Sequence, residues 1–272
     1  MPGYNEKPKI IEHYDFASPH YRALWGKHLH HGYWETGVET KEEAQQALTA
    51  HLAEAAQVAN GAVILDVGCG FGGSSIYLAT KYHSTVTGIT ISPVQAAMAR
   101  EAAINANATA RFLVMDADDI ALRDNFDVVW SIEAISHFAN KPGFFIRVAE
   151  MLKPGGTLAL IDWFKQEHLP AAQHRAYINP IERGMLVELK TIADYAEMIR
   201  AAGLEITHTR DLSERCSKTW EISANLIKSR ALWRLAREQG IEFIRFLRSF
   251  SAMRQGFSSG SFVYGMLVAR RR

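Results

Sequence analysis

The chain has 272 residues, 48% of them hydrophobic, which is enough for a sizeable core in one or two domains. Its 30 basic and 29 acidic residues leave a net charge of +1, so no overall field draws it to nucleic acid or to an anionic membrane surface. Cys69 and Cys216 make neither a disulfide framework nor a metal-ligand pattern, which points to a reducing cytoplasm; no apolar run reaches the ~18 residues of a membrane span, and MPGYNEKPKIIEHYDF lacks the apolar core of a signal peptide.

Residues 1–34 are polar, aromatic and rich in histidine, with five of the 11 histidines before Gly32. Over 40–58, TKEEAQQALTAHLAEAAQV places Leu48, Leu52 and Ala55 on one helical stripe, and Thr40 and Glu43 are spaced as a capping box; a helix is predicted. Short apolar runs then alternate with helical patterns. The runs 62–67, 85–90, 111–115, 126–131 and 157–162 read as strands, with helices at about 73–81, 93–107 and 142–152. Ser92 and Pro93 open the second of these helices, and KPGG at 153–156 ends the third and turns into the next strand. Such alternation predicts a parallel sheet with helices on both faces. The stretch 163–190, with Pro170 and Pro180, reads as irregular. A helix at 191–202, a strand at 204–210, two helices within 213–256 and a strand at 261–270 follow. The irregular stretch and the late helices are expected to form a lid over the sheet, not a separate domain.

VILDVGCGFGGSS, at 63–75, joins a buried strand to a helix through Gly68, Gly70, Gly72 and Gly73, and contains G-x-G-x-x-G. Glycine lets the backbone approach a ligand with no Cβ in the way, and such sheets bind ligands beyond the carboxyl ends of their strands. Two features choose among ligands. Asp66 repels a pyrophosphate but suits an ammonium or a sulfonium. A dinucleotide site also wants an acidic residue about 20 positions after the turn, to hold the ribose, and none occurs between Ser74 and Arg100. Both observations disfavour an NAD-dependent oxidoreductase and favour S-adenosylmethionine, a phosphate-free cation.

LDVGCGFGG resembles motif I of class I methyltransferases. VTGITISPVQ, at 86–95, resembles their second segment in the variant where Thr90 replaces the usual acidic residue, as in sterol methyltransferases, gamma-tocopherol methyltransferases and mycolic acid cyclopropane synthases. MDADDI, at 115–120, is similar to the adenine-contacting segment, and LKPGGTLALIDW, at 152–163, to the entry into strand five. The resemblance implies an α/β, Rossmann-like class I methyltransferase fold. That fold has a seven-stranded, mostly parallel sheet with the last strand antiparallel, helices on both faces, a helical N-terminal cap and an inserted lid. It implies S-adenosylmethionine as cofactor, cradled by Asp66, Gly68 and Gly70. Thr90 and Gln95 would meet the ribose, and Asp116 would accept from the adenine amino group with the Ala117 backbone completing the pairing. HYDFASPHYRALWGKHLHHGYW, at 13–34, resembles the opening of the same families, where a helix folds over the cofactor and a tyrosine, here Tyr14, reaches the methionine carboxylate. The implied division is a cap over 1–60 and a cofactor-binding domain over 61–272, with a lid at about 163–190 and a helical insertion at about 213–256.

Methyl transfer is an in-line displacement: a hydroxyl acceptor must lie ~3 Å from the methyl carbon and lose its proton as it attacks. SIEAISHF, at 131–138, follows strand four, and His137 is the candidate base. Asp162, at the end of the neighbouring strand, is the candidate to orient its imidazole. The two positions resemble the catalytic pair of sugar O-methyltransferases from antibiotic biosynthesis. Glu133 either lines the pocket, bonds the methionine end of the cofactor or is structural. Cyclopropane synthases work through carbocations and need aromatic faces and a bound base, so a His–Asp pair argues against that activity. His28, His30 and His31 stand too close in sequence to converge on one ion, and no metal is expected.

Over 225–257, Lys228, Arg230, Arg234, Arg237, Arg245, Arg248 and Arg254 alternate with apolar residues, and Glu238 and Glu242 interrupt the charge. This reads as amphipathic helix packed on the sheet and a candidate homodimer contact, in preference to an RNA- or membrane-binding surface. Trp163, Phe164, Tyr177, Met185 and Trp220 are candidate lining for a flat or apolar acceptor. The expected protein is a methyltransferase acting on a small apolar or aromatic metabolite, by O-methylation. C-methylation of a phenolic or prenylated ring and N-methylation of an amine are the alternatives within the class. The expected partner is that small-molecule acceptor, without nucleic acid and without membrane insertion.

Overall fold

The computed structural model describes residues 7–123, 125–227 and 241–272. Its strands are β1 (Val63–Val67), β2 (Thr85–Thr90), β3 (Ala110–Val114), β4 (Phe126–Ile132), β5 (Leu152–Lys165), β6 (Leu204–Asp211) and β7 (Phe262–Arg271). They form one sheet in the order β3-β2-β1-β4-β5-β7-β6. The first five strands pair in parallel, and β7 runs antiparallel between β5 and β6. The mostly parallel sheet with its last strand reversed is therefore the one the resemblance implied.

Helices α1 (Lys7–Trp25), α2 (Lys41–Ala55), α3 (Gly73–Lys81), α4 (Pro93–Asn105) and α5 (Lys141–Met151) fall in the first half of the chain. Period-two alternation along the strands sends neighbouring residues into different cores. Ile64 of β1 joins Leu48 and Leu52 of α2 and Leu78 of α3, whereas Leu65 and Val67 join Phe144, Phe145 and Val148 of α5. The sheet is thus covered on both faces. The helix starts follow their caps. Thr40 and Glu43 form the capping box of α2, Ser92 accepts the Gln95 amide at 3.0 Å, and Asn140 accepts the Gly143 amide at 3.0 Å.

Two expectations need correction. KPGG lies inside β5 as a bulge: Phe126 pairs with Leu152, the next partners are Val128 and Thr157, and Gly155 sits at φ 77°. The 163–190 stretch is more regular than its composition suggests. β5 runs on to Lys165 because Trp163 and Phe164 pair with Tyr264 and Val263 of β7. Then come α6 (Ala171–Gln173), a π-helical turn at His174–Ile178, and α7 (Asn179–Met185). Pro170 caps α6 and Pro180 sits in the first turn of α7, where a missing N–H costs nothing, so both prolines start helices instead of breaking them. The late helices can be followed only in part. α8 (Ile192–Ala201), α9 (Ser213–Cys216), α10 (Lys218–Ile227) and α11 (Ile241–Ser258) are described, with Phe246 and Leu247 buried. Lys228, Arg230, Arg234, Arg237 and Glu238, and the side chain of Glu242, lie outside the described residues. Among the described residues no helix is long and apolar enough to cross a membrane.

Candidate active site

From Val67 the chain turns into α3 through Gly68, Gly70 and Gly72, at φ 77°, 53° and 86°. The amides of Gly68 and Cys69 both donate to the Ile89 carbonyl, at 2.9 and 3.0 Å, tying the loop to β2. A Cβ at Gly68 would collide with Ala134. Asp66 lies buried at the end of β1 and accepts from the Ser75 hydroxyl at 2.5 Å; burial pushes its carboxyl up to about 7. At the end of β2 the Thr90 hydroxyl donates to Gln95 Oε1 at 2.7 Å, so the residues expected at the ribose are brought together.

Asp116 and Ala117 reach the same cavity beyond β3. The Asp116 carboxylate is shared, however. Lys7 of α1 meets Oδ2 at 2.6 Å and also pairs with Asp118 at 2.8 Å, while Oδ1 accepts the Asp118 amide at 2.9 Å. Asp15 of α1 accepts from the Ser92 hydroxyl and from the Val94 amide at the start of α4. α1 therefore lies across the cleft as a strap. Beneath it is a cavity of about 280 Å³, lined by the glycine loop and by His137, Trp163, Met185, Trp220 and Phe250.

His137 ends a single 3-10 turn, Ile135–His137, just after β4. Its Nδ1 bonds the Leu186 carbonyl at 3.1 Å, and its Nε2 meets the Tyr14 hydroxyl at 3.1 Å. The carbonyl can only accept, so Nδ1 carries the proton and Nε2 presents its lone pair. Burial drives the imidazole pKa down to about 4; the Leu186 carbonyl opposes this, and His13 and Lys141 add to it. Burial, with Glu133 and Asp162, raises the pKa of Tyr14, which stays protonated. One expectation is corrected here. Asp162 is not a partner of the His137 ring: it accepts the Ser136 amide at 2.7 Å, the Trp163 amide at 2.8 Å and the Tyr195 hydroxyl at 3.2 Å. Its place behind the imidazole is taken by the Leu186 carbonyl. Tyr14 reaches the cavity, but the contact its hydroxyl makes is with the imidazole.

Glu133, at φ 54°, turns out of β4 and accepts on Oε1 from the His31 amide (2.7 Å), His31 Nδ1 (2.9 Å) and the Tyr264 hydroxyl (2.6 Å). Burial alone would raise its carboxyl; the His31 and Tyr264 contacts outweigh it and hold the group below its usual range. His28 and His30 bond each other at 3.1 Å, and His30 Nδ1 bonds the His31 carbonyl at 2.8 Å. Among the described residues no group of three His, Cys, Asp or Glu side chains is placed to hold a metal ion.

Lys7, His31, Leu186 and Tyr264 belong to the site without having been foreseen. Tyr264 and Glu133 are 131 positions apart, and nothing local in the sequence pairs them. Leu186 had one signal in the structure alone: a bulky residue in the left-handed region, φ 56°, a strain of about 1–3 kcal/mol that accumulates at functional sites.

The family model described as mycolic acid cyclopropane synthetase matches residues 4–262. A relative from Amycolatopsis mediterranei, 27-O-demethylrifamycin SV methyltransferase, is 33% identical over 269 residues, 97% of each chain. A probable tocopherol O-methyltransferase of Oryza sativa subsp. japonica is 30% identical over 297 residues, 99% of this chain and 79% of the relative. Among solved structures, the cyclopropane synthase MmaA2 of Mycobacterium tuberculosis superposes with a TM-score of 0.86 at 21% identity, over 97% of this chain and 98% of that one. The family's cofactor is S-adenosylmethionine, and the cleft fits it: loop glycines that line the cavity, a buried carboxyl at the end of β1, and a Thr–Gln pair at the end of β2. The chain belongs to the mycolic acid cyclopropane synthetase family of class I S-adenosylmethionine-dependent methyltransferases.

Proposed function

We propose that this methyltransferase acts on a hydroxyl oxygen of a small apolar or aromatic metabolite, with His137 as the base. The observation that carries the reading is a neutral imidazole lining the same cavity as the glycine loop, fixed through Nδ1 and joined through Nε2 to the Tyr14 hydroxyl. Bound S-adenosylmethionine supplies an electrophilic methyl group on a cationic sulfur. The chain's residues do the rest. Trp163, Met185, Trp220 and Phe250 exclude water and favour a flat acceptor. As the new oxygen–carbon bond forms, Tyr14 takes the acceptor's proton and passes its own to Nε2. An imidazole with a pKa of about 4 is a weak base in isolation. Here the imidazolium replaces a buried positive charge that disappears in the same step, so the charge of the cavity is conserved. Two relatives support the oxygen reading by name. Both cysteines are buried free thiols, consistent with work in the cytoplasm.

The test is mass spectrometry of a metabolite pool incubated with methyl-labelled S-adenosylmethionine. Label on an oxygen of an apolar or aromatic product supports the reading; label on carbon or nitrogen overturns it. His137→Ala is expected to lower turnover by about 10²–10⁴, with affinity for S-adenosylhomocysteine within a few-fold of the parent. Retained turnover would remove His137 from the mechanism.

A further inference from the structure

Lys141 is in the wrong place for a lysine. It opens α5, where the helix dipole disfavours a cation, and it is 1% exposed, where an ammonium is costly unless paired. Its partners explain both. Nζ donates to the Ser136 carbonyl at 3.2 Å and the Phe138 carbonyl at 3.0 Å, the two peptide oxygens flanking His137, and meets Glu188 Oε2 at 3.5 Å. The Glu188 amide donates to the same Ser136 carbonyl at 2.9 Å. Glu188 is two residues from Leu186, whose carbonyl holds His137 Nδ1. From the other side, Asp162 holds the Ser136 amide at 2.7 Å.

We propose that Lys141 is the positioning residue of His137: its buried ammonium clamps the carbonyls of the residues on either side of His137 and joins them to the segment that fixes Nδ1. The proposal rests on His137 being the base, and it reassigns Asp162 to the same task, since Asp162 steadies the turn and not the ring. The titratable and charged groups facing the turn are His13 and Tyr14 from α1, Glu133 from β4, Asp162 from β5, Tyr195 from α8, and Glu188 with Lys190 from the segment after α7. Lys141 is the cation among them in direct contact with the peptide groups of the turn. It lowers the pKa of His137 and is not the largest cause of that shift.

The test uses Lys141→Met in the full chain, read by kcat, by S-adenosylhomocysteine affinity and by the His137 Cε1–H signal in NMR between pH 5 and 7.5. That signal is assigned by its loss in His137→Gln. The expected result is a kcat lowered about tenfold or more, affinity within twofold, and a His137 signal moved or broadened relative to the parent across the window, because the turn that carries the ring is no longer held. A kcat within twofold of the parent, or a His137 signal unchanged from the parent's, overturns the proposal. Lys141→Gln, which keeps an N–H donor but no charge, is expected to retain more kcat than Lys141→Met, with a signal nearer the parent's; equal losses overturn the clamp. His137→Gln that still turns over counts against the base assignment, whereas the NMR result judges the clamp independently.

Discussion

Asp66 shows how one residue can oppose stability while serving binding. Its carboxyl is pushed up to about 7 in the fold against 3.8 for an unperturbed aspartate. Between those values the folded chain holds a proton that the unfolded chain has released, so stability falls as pH rises through that window and stays low above it. Asp66→Asn is therefore expected to be more stable than the parent by about 2–4 kcal/mol at pH 8, with a smaller gain at pH 5. The same variant should bind S-adenosylmethionine at least about tenfold more weakly. Calorimetry at the two pH values and a binding titration check both, and no gain at pH 8 would contradict the burial assigned to this group. Asp66 stands out in the sequence by its place at the end of a strand before the glycine turn, whereas Thr90 and Gln95 are singled out only by the family resemblance, and the structure joins those two by a hydrogen bond. Lys141 and Leu186 were not legible there. They act on or through backbone carbonyls, which every residue carries, so only the odd siting of a lysine at a helix start hinted at a role.

At the level of elements, the strands and the helices between them were legible to within a few residues, apart from β5, because buried alternation and caps are local signals. α1 was not legible from periodicity. It buries only Ile10, Ala17 and Ser18 and contains Pro19, so no apolar stripe announces it; what holds it is polar contact with the cleft together with packing of Phe16 and Tyr21 against Phe243 and Phe246 of α11. Lys7 sits at one end of that strap, 28% exposed, against Asp116 and Asp118. Lys7→Met is expected to speed release of S-adenosylhomocysteine several-fold in stopped-flow measurements. Raising the ionic strength should speed release from the parent and change the variant less, because a partly exposed ion pair is screened by salt. Identical rates for the two proteins would show that α1 is held closed by other contacts.

For the whole molecule, buried histidines decide the response to acid. His13 and His137 are lowered to about 4, and His28 and His30 are also lowered, all chiefly by burial. The unfolded chain binds these protons first, so their contribution is complete above about pH 6.5 and is lost as pH falls towards 4. Asp66 and Asp162, raised to about 7 and about 6, act in the opposite sense. Four histidines outweigh two carboxylates, and Tm is expected to fall between pH 7.5 and pH 5; a Tm that holds or rises would mean the histidines are solvated. The two-sided sheet followed from the alternation of apolar runs and helical patterns. The strand order did not, because period and composition say nothing about which strands become neighbours; the place of β7 came from the family resemblance. That place has a consequence for how the protein is made. Among the described residues β6 has only β7 as a neighbour, and β7 also carries Tyr264, which steadies Glu133. On the ribosome the older strands can assemble as they emerge, but β6 has no strand to pair with until one translated after it slots in. A nascent chain halted before that point carries the glycine loop and His137, yet has no finished pocket in which to use them.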